Sequence, residues 1–345
     1  MYADQIVALL LVLCWWHKVQ SMTLGGRKSY EELRAAIVDA ENGYGLGGKV
    51  FLNFDELRAD RALRAMKKDE LETPDRTLPA AGMHFFDAKS LIERSAVFEV
   101  LQSMPKGAVL HLHNSAAVSS KWVIKNLTYR HEARLCNIED RYYFTVRTHK
   151  NCPENQTRLI QTMRKEHQHD MDAFDGWLES LINMKMKPTR NRSASTDELW
   201  FDFESCFDAI KGFLQHKPFF EAYHRQLLDE FHTDNVCYIE LRMSFSKVFD
   251  ADGKEYGPME VAQLLHRIVD DFRQQHESFL GVKLILTKHK NMSDVELEKA
   301  LKLYESLRCL AWCATCETIQ PAFMSLKIYP SPSLAMIQDF GTRKV

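Results

Sequence analysis

Three short apolar segments, separated by amphipathic stretches of helical length, constrain the fold of this 345-residue chain most. The segments Gly107 to His113, Val236 to Arg242 and Gly281 to Thr287 have the length and composition of buried strands. Helical patterns follow them at Pro258 to Phe272 and from Ser293 to about Arg308, and two more precede the second strand, Trp200 to Leu214 and Pro218 to Phe231. This rhythm predicts an α/β fold with a parallel sheet.

Residues 22–104 have a helical pattern that precedes the first strand. Ser29 with Glu32, and Asn53 with Glu56, have the spacing of capping boxes at two helix starts. A third helix is predicted over 87–103, ended by Pro105. We interpret residues 22–104 as an N-terminal helical extension.

Residues 128–192 differ from their surroundings, because they are charged and rich in histidine. They predict an inserted subdomain. Cys136 and Cys152 flank its aromatic part and are expected to form a disulfide, worth about 3 kcal/mol in the chain-entropy model. A basic loop around Pro188 is a solvated loop or, alternatively, a binding site for an acidic polysaccharide.

The first 21 residues have the pattern of a secretory signal peptide. Ile6 to Trp16 is an apolar run of 11 residues, too short for the roughly 20 that span a bilayer. Cleavage after Ser21 is expected, leaving a secreted chain with no membrane span. Four acceptor sequons agree with secretion, at Asn126, Asn155, Asn191 and Asn291. A net charge of −2 gives no indication of nucleic-acid binding.

The first strand ends in two histidines, His111 and His113. Side chains two residues apart on a strand point to the same face, so the imidazoles can share one divalent metal ion. The alternative is a core pair whose ring nitrogens bond backbone carbonyls. Glu240 and Arg242 end the second strand, where a structural ion pair competes with a catalytic role.

The segments 84–95, 104–113 and 126–130 closely resemble the secreted adenosine deaminase-related growth factors, the extracellular type-2 adenosine deaminases. The resemblance spans about Tyr30 to Arg308. It implies a partial (β/α) TIM-type barrel over 105–308, with about three of eight strands. It also implies that the helical extension forms a homodimer and that the insertion binds a cell-surface receptor.

The same resemblance implies zinc-dependent hydrolytic deamination of adenosine to inosine. His111 and His113 match the first two zinc ligands. The matching substrate-binding positions are Asn114, Trp200, Phe203, Glu204, Phe207 and His289. Asn114 stands where the family has an aspartate that contacts the sugar, and therefore keeps an acceptor oxygen without the charge.

The remaining zinc ligands, the general-acid Glu and the second catalytic His of the family lie beyond the third strand. This chain has no histidine after His289, and residues 309–345 do not match the family. We therefore expect a C-terminally truncated chain, with a tail that does not continue the sheet and no measurable deamination. The alternatives are a non-catalytic, receptor-binding secreted factor and a fragment of a longer enzyme.

Overall fold

The computed structural model describes residues 30–45, 47–72, 80–148, 152–184, 195–287 and 293–307, and the backbone of 308–312 and 324–327. The predicted signal peptide lies outside these residues, as do the basic loop, His289, Asn191 and Asn291. The chain divides into two compact units at Pro79. No helix in the described parts of the chain combines the length and the apolar character that crossing a bilayer requires.

The described residues of the first unit form two helices, α1 (30–44) and α2 (Phe54–Leu71). The capping box predicted at Asn53 is confirmed, because its side chain accepts from the Glu56 amide and the Glu56 carboxylate accepts from the Asn53 amide. No residue of α2 is buried. Among the residues described here, the apolar side chains of α2 are therefore not packed into a core.

The second unit begins with α3 (Phe85–Ile92) and α4 (Ala96–Ser103). The prediction of a single helix over 87–103 is wrong, because α3 ends at Ile92 and a new helix begins at Ala96, with Ser95 as its N-cap. The Ser95 backbone is extended, and its hydroxyl accepts from the Phe98 amide at 3.1 Å. An N-cap serine inside an apolar stretch thus divides one periodic pattern into two helices.

Strand β1 (Gly107–His113) leads through the short helix α5 (Ser120–Trp122) and a π-helical turn, Val123–Leu127, into the insertion. The insertion carries a three-stranded antiparallel sheet with the order β3-β2-β4 and two helices. Its elements are β2 (Arg134–Ile138), β3 (Arg141–Thr145), β4 (Thr157–Leu159), α6 (Ile160–Glu166) and α7 (Met171–Ser180).

The rest of the described chain alternates helices and strands. Its elements are α8 (Thr196–Leu214), α9 (Lys217–Thr233), β5 (Val236–Met243), β6 (Val248–Phe249), β7 (Glu255–Tyr256), α10 (Pro258–Gln275), β8 (Gly281–Thr287), α11 (Asp294–Trp312) and β9 (Met324–Lys327). Strands β1, β5, β8 and β9 form one parallel sheet in that order. The predicted α/β class with a parallel sheet is confirmed.

The prediction that the sheet ends at its third strand is wrong. Strand β9 pairs in parallel with β8, with Met324 opposite Leu284 and Lys327 opposite Thr287. Strand β9 has only four residues, which is too short for a hydrophobic pattern that would predict a strand. It is recognised only by its backbone pairing with β8. In the described part of the chain the parallel sheet therefore has four strands, half the number in a complete (β/α) barrel.

Strand β1 lies at one edge of this sheet, and the prediction that it is buried is wrong. Leu110 is 58% exposed, and both histidines are exposed. Among the described strands β1 pairs with β5 alone, so one flank of β1 stays open. The core lies between the inner strands and their helices, with Tyr223, Leu227, Ile239, Leu241, Leu265 and Leu284 nearly fully buried.

Candidate functional site

The two predicted metal ligands lie side by side at the end of β1. The Nε2 atoms of His111 and His113 are 3.2 Å apart. The His113 side chain is exposed at its surface, but protein atoms around part of the ring desolvate it and lower its pKa, and the neighbouring His111 and Arg242 lower it further. The His113 imidazole is therefore neutral at neutral pH, as a metal ligand must be.

The spacing of this pair suits zinc. Two Zn–N bonds of roughly 2.0–2.1 Å at a tetrahedral angle separate their nitrogens by about 3.4 Å. The described residues contain no group of three or more His, Cys, Asp or Glu side chains that could hold a metal ion. The two histidines therefore fit two ligand positions of a zinc site. The described residues do not provide the third protein ligand that a catalytic zinc site uses.

A cleft of about 230 Å³ opens beside the histidine pair. It lies at the carboxyl ends of β1, β5 and β8, where the functional residues of parallel α/β proteins gather. Helix α8 forms its other wall. The lining includes His113, Asn114, Ser115, Phe207, Asp208, Lys211, Gln215, Phe220, Arg242, Ser244, Ser246 and Thr287.

Asn114 lines this cleft and is also held from behind by α9. Its side-chain Oδ1 lies 2.6 Å from Nε2 of the buried His224, and its backbone carbonyl oxygen accepts from the Tyr223 hydroxyl at 2.8 Å. The same hydroxyl accepts from the amides of Ala117 and Val118. Tyr223 and His224 therefore fix the turn that follows His111 and His113.

The predicted aromatic positions of α8 form a chain of ring contacts that ends at the cleft. Trp200 lies 5.5 Å from Phe203, Phe203 lies 4.9 Å from Phe207, and Phe207 lies 6.2 Å from His113, as ring centroids. Phe207 lines the cleft, whereas Trp200 and Phe203 are 54% and 42% exposed. Glu204 is half-buried on the same helix.

Arg242 underlies the site. Its side chain is buried and donates to the Leu110 carbonyl at 2.8 Å, which ties β5 to the backbone of β1 between its apolar part and its histidines. The predicted partner Glu240 instead lies 3.9 Å from Lys283 of β8. The predicted ion pair between Glu240 and Arg242 is therefore wrong, because the ion pair forms across neighbouring strands.

Sequence reasoning missed Tyr223 and His224. Both lie on α9 and are fully buried, although the helix was recognised only as amphipathic. A histidine among the core-facing residues of that helix was the available signal, because a buried imidazole needs hydrogen-bond partners. The pattern could not say that the partner is Asn114, which lies 110 residues earlier.

The insertion packs directly against the wall of the cleft. A Cβ atom on Gly212 of α8 would lie 2.2 Å from the carbonyl oxygen of Phe144 in β3, so glycine permits this close approach. Cys136 and Cys152 form a disulfide across the insertion, with their Cα atoms 5.7 Å apart. Asn126 and Asn155 are both exposed.

Comparisons with known proteins identify the family of this chain. A sequence profile described as "Adenosine/AMP deaminase N-terminal" matches residues 9–101. Adenosine deaminase 2 of Pongo abelii is 31% identical over 291 residues, covering 82% of this chain and 56% of the relative. Adenosine deaminase 2 of Homo sapiens is 30% identical over the same shares. This chain belongs to the adenosine deaminase 2-related family.

The chain spans little more than half the length of these relatives. Adenosine deaminase 2-A of Danio rerio is 28% identical and covers 78% of the chain, which spans 54% of that protein. Among solved structures, an Arabidopsis N6-mAMP deaminase aligns with 68% of this chain and 53% of its own, at a TM-score of 0.36 and 12% identity. The family relation supports a deaminase-type protein.

Proposed function

We propose that this chain is a secreted adenosine deaminase-type protein whose cleft at the carboxyl ends of β1, β5 and β8 binds adenosine. The observation that carries the proposal is the pair of imidazole rings of His111 and His113, with Nε2 atoms 3.2 Å apart, of which His113 lines the cleft. Residues His111 and His113 would hold zinc through their ring nitrogens. Zinc, when bound, supplies the Lewis acidity that activates water in hydrolytic deamination.

The other residues of the cleft bind and orient the nucleoside. Phe207 offers a ring for stacking against the purine, which stabilises binding by about 1–3 kcal/mol per base in other proteins. Asn114 offers an amide to the sugar, and Trp200, Phe203 and Glu204 extend the same wall. We expect binding without turnover, because the described residues supply two of the three protein ligands that a catalytic zinc site uses.

Titration calorimetry and an adenosine absorbance assay on the purified full chain test this proposal. Phe207→Ala should weaken adenosine binding about fivefold or more. Phe201→Ala is the matched control, since Phe201 lies on the same helix but packs against Arg141, 4.4 Å from its guanidinium carbon. Equal effects of the two variants would refute binding in this cleft, and inosine formation would refute the absence of turnover.

Zinc content separates the metal proposal from the nucleoside proposal. His111→Gln and His113→Gln should each reduce bound zinc to background, because one imidazole alone holds zinc weakly. Zinc retained at wild-type levels in both variants would show that the metal lies elsewhere. The assay needs no catalytic activity.

Secretion and dimerisation are part of the same proposal. The Cys136–Cys152 disulfide suits an oxidising compartment, and Leu33 and Ile37 of α1 are 62% and 52% exposed, as expected for an interface between two copies. Sedimentation of wild type and of Leu33→Glu tests this directly. A monomer at every wild-type concentration would refute dimerisation.

A non-catalytic, receptor-binding role is the second candidate. It is favoured by an insertion with its own sheet, its own disulfide and the buried ion pair between Arg164 and Asp175. Binding of the full chain to receptor-bearing cells should then persist in His111→Gln. Loss of cell binding in that variant would argue against the insertion as the contact surface.

A further inference from the structure

The sequon Asn155-Gln156-Thr157 lies in a closed loop of the insertion. Cys152 begins this loop and is joined to Cys136 of β2 by the disulfide. Thr157 ends the loop and lies opposite the same Cys136 in the ladder between β2 and β4. Both ends of the loop are therefore held against one residue of β2.

The two polar groups of the sequon differ in their exposure. The Asn155 side chain is exposed, so the folded chain has room for a glycan there. Thr157 is 6% exposed, and its hydroxyl donates to the carbonyl oxygens of Pro153, at 2.8 Å, and Cys152, at 3.2 Å. The acceptor amide is thus accessible in the folded chain, whereas the threonine hydroxyl is not.

Transfer of an N-linked glycan requires both groups. The Asn155 amide nitrogen forms a bond to the anomeric carbon of an oligosaccharide, and the bond from that carbon to the pyrophosphate of a lipid-linked donor breaks. The lipid pyrophosphate leaves, and the amide nitrogen loses one proton. The transferase also recognises the hydroxyl two residues later, which is why the acceptor signal is Asn-X-Ser/Thr.

We infer that closure of the Cys136–Cys152 disulfide ends the capacity of Asn155 to accept a glycan, so that the two modifications compete on the newly made chain. Before closure, no covalent bond holds the loop against β2, and the sequon can extend into a transferase. Chain synthesis at about 5–20 residues per second overlaps in time with disulfide formation, which takes seconds to hours. Chains made in an oxidising compartment are then a mixture with and without a glycan at Asn155.

The sequon at Asn126 provides an internal control. Its Thr128 is fully buried, and the hydroxyl donates to the Ile124 carbonyl and accepts from the Arg164 guanidinium. Neither partner belongs to the disulfide loop. Access to the Asn126 sequon therefore depends on the folded insertion and not on the disulfide.

The test uses the full chain produced in bacteria without glycans and then oxidised. The chain is incubated with a purified eukaryotic oligosaccharyltransferase and a lipid-linked oligosaccharide, and peptide mass spectrometry measures the glycan at each sequon. We expect Asn155 to be modified at least tenfold faster in the double variant Cys136→Ser, Cys152→Ser than in the disulfide-bonded wild type. Asn126 should stay unmodified in both.

Two further variants make the comparison specific. Cys206→Ser removes a cysteine that is free in the structure and should behave as wild type does. Thr157→Val, added to the double variant, should abolish modification of Asn155, because it removes the recognised hydroxyl. Circular dichroism of each variant checks that the helices remain folded.

Three outcomes would overturn the inference. The first is equal modification of Asn155 with and without the disulfide, and the second is no modification of Asn155 in any form of the chain. The third is a matching rise at Asn126 in the double variant, because folding of the whole insertion would then limit access to both sequons. The assay contains neither nucleoside nor zinc bound at the cleft, so its failure is distinct from a failure of the proposed function.

Discussion

Replacement of Asp175 by asparagine should strongly lower the free energy of unfolding of the insertion. Asp175 is 5% exposed on α7 and accepts from the Arg164 guanidinium at 2.7 Å. Its other oxygen accepts from the Lys125 ammonium at 2.7 Å and the Tyr129 hydroxyl at 2.8 Å. The carboxylate thus joins the π-helical turn, α6 and α7.

The magnitude follows from what the substitution leaves behind. The Arg164 side chain is 8% exposed, so Asp175→Asn leaves a buried guanidinium without its counter-charge. Removing one partner of a buried ion pair costs about 3–5 kcal/mol. An asparagine retains one acceptor oxygen, so we expect about 3 kcal/mol, measured as a lower urea midpoint with an unchanged slope.

Two comparisons make this prediction refutable. Asp172→Asn removes a carboxylate that is 99% exposed and 3.9 Å from the same Lys125, and should leave the urea midpoint unchanged. The double variant Arg164→Met, Asp175→Leu should recover at least half of the loss, because it removes both buried charges. Equal effects of Asp175→Asn and Asp172→Asn would refute the reasoning.

The pH dependence gives an independent check. Burial alone would raise the pKa of Asp175, but hydrogen bonds from Lys125, Arg164 and Tyr129 outweigh it and hold the pKa below its ordinary value. A depressed carboxylate pKa contributes stability that is present above about pH 4 and is lost as the pH falls through the folded-state value. Asp175→Asn should remove this acid-sensitive contribution.

The other predictions concern single positions. Gly212→Ala should destabilise the chain, because the added Cβ would lie 2.2 Å from the Phe144 carbonyl oxygen. Gly176→Ala should instead stabilise it by about 1 kcal/mol, because Gly176 lies on α7 with open space around it. Urea unfolding measures both changes. Leu110→Lys should reduce self-association in light scattering, because a charge protects the open edge of β1, and unchanged association would contradict this. Burial lowers the folded-state pKa of His224 to about 4. Below about pH 6.5 the unfolded chain therefore binds a proton that the folded chain does not. The free energy of unfolding should fall by up to about 3 kcal/mol between about pH 6.5 and 4. His224→Phe should lack that slope.

The sequence by itself determined the first three strands of the parallel sheet and the adjacent pair of imidazoles at the end of the first. Strands β1 and β8 have the predicted bounds, and the alternation of side chains on a strand was enough to bring His111 and His113 together. These features are local: they depend on periodicity over a few residues and on backbone geometry that every strand shares. The Asn53 capping box is local in the same sense.

Only the tertiary structure decided what surrounds the pair. The contact between His224 and Asn114 joins residues 110 apart, and the close approach of Gly212 to Phe144 depends on how a helix lies on a strand of the insertion. The exposure of β1 likewise depends on which strands flank it. Such contacts are set by the packing of whole elements, and no pattern within one segment encodes which distant backbone or side chain it will meet.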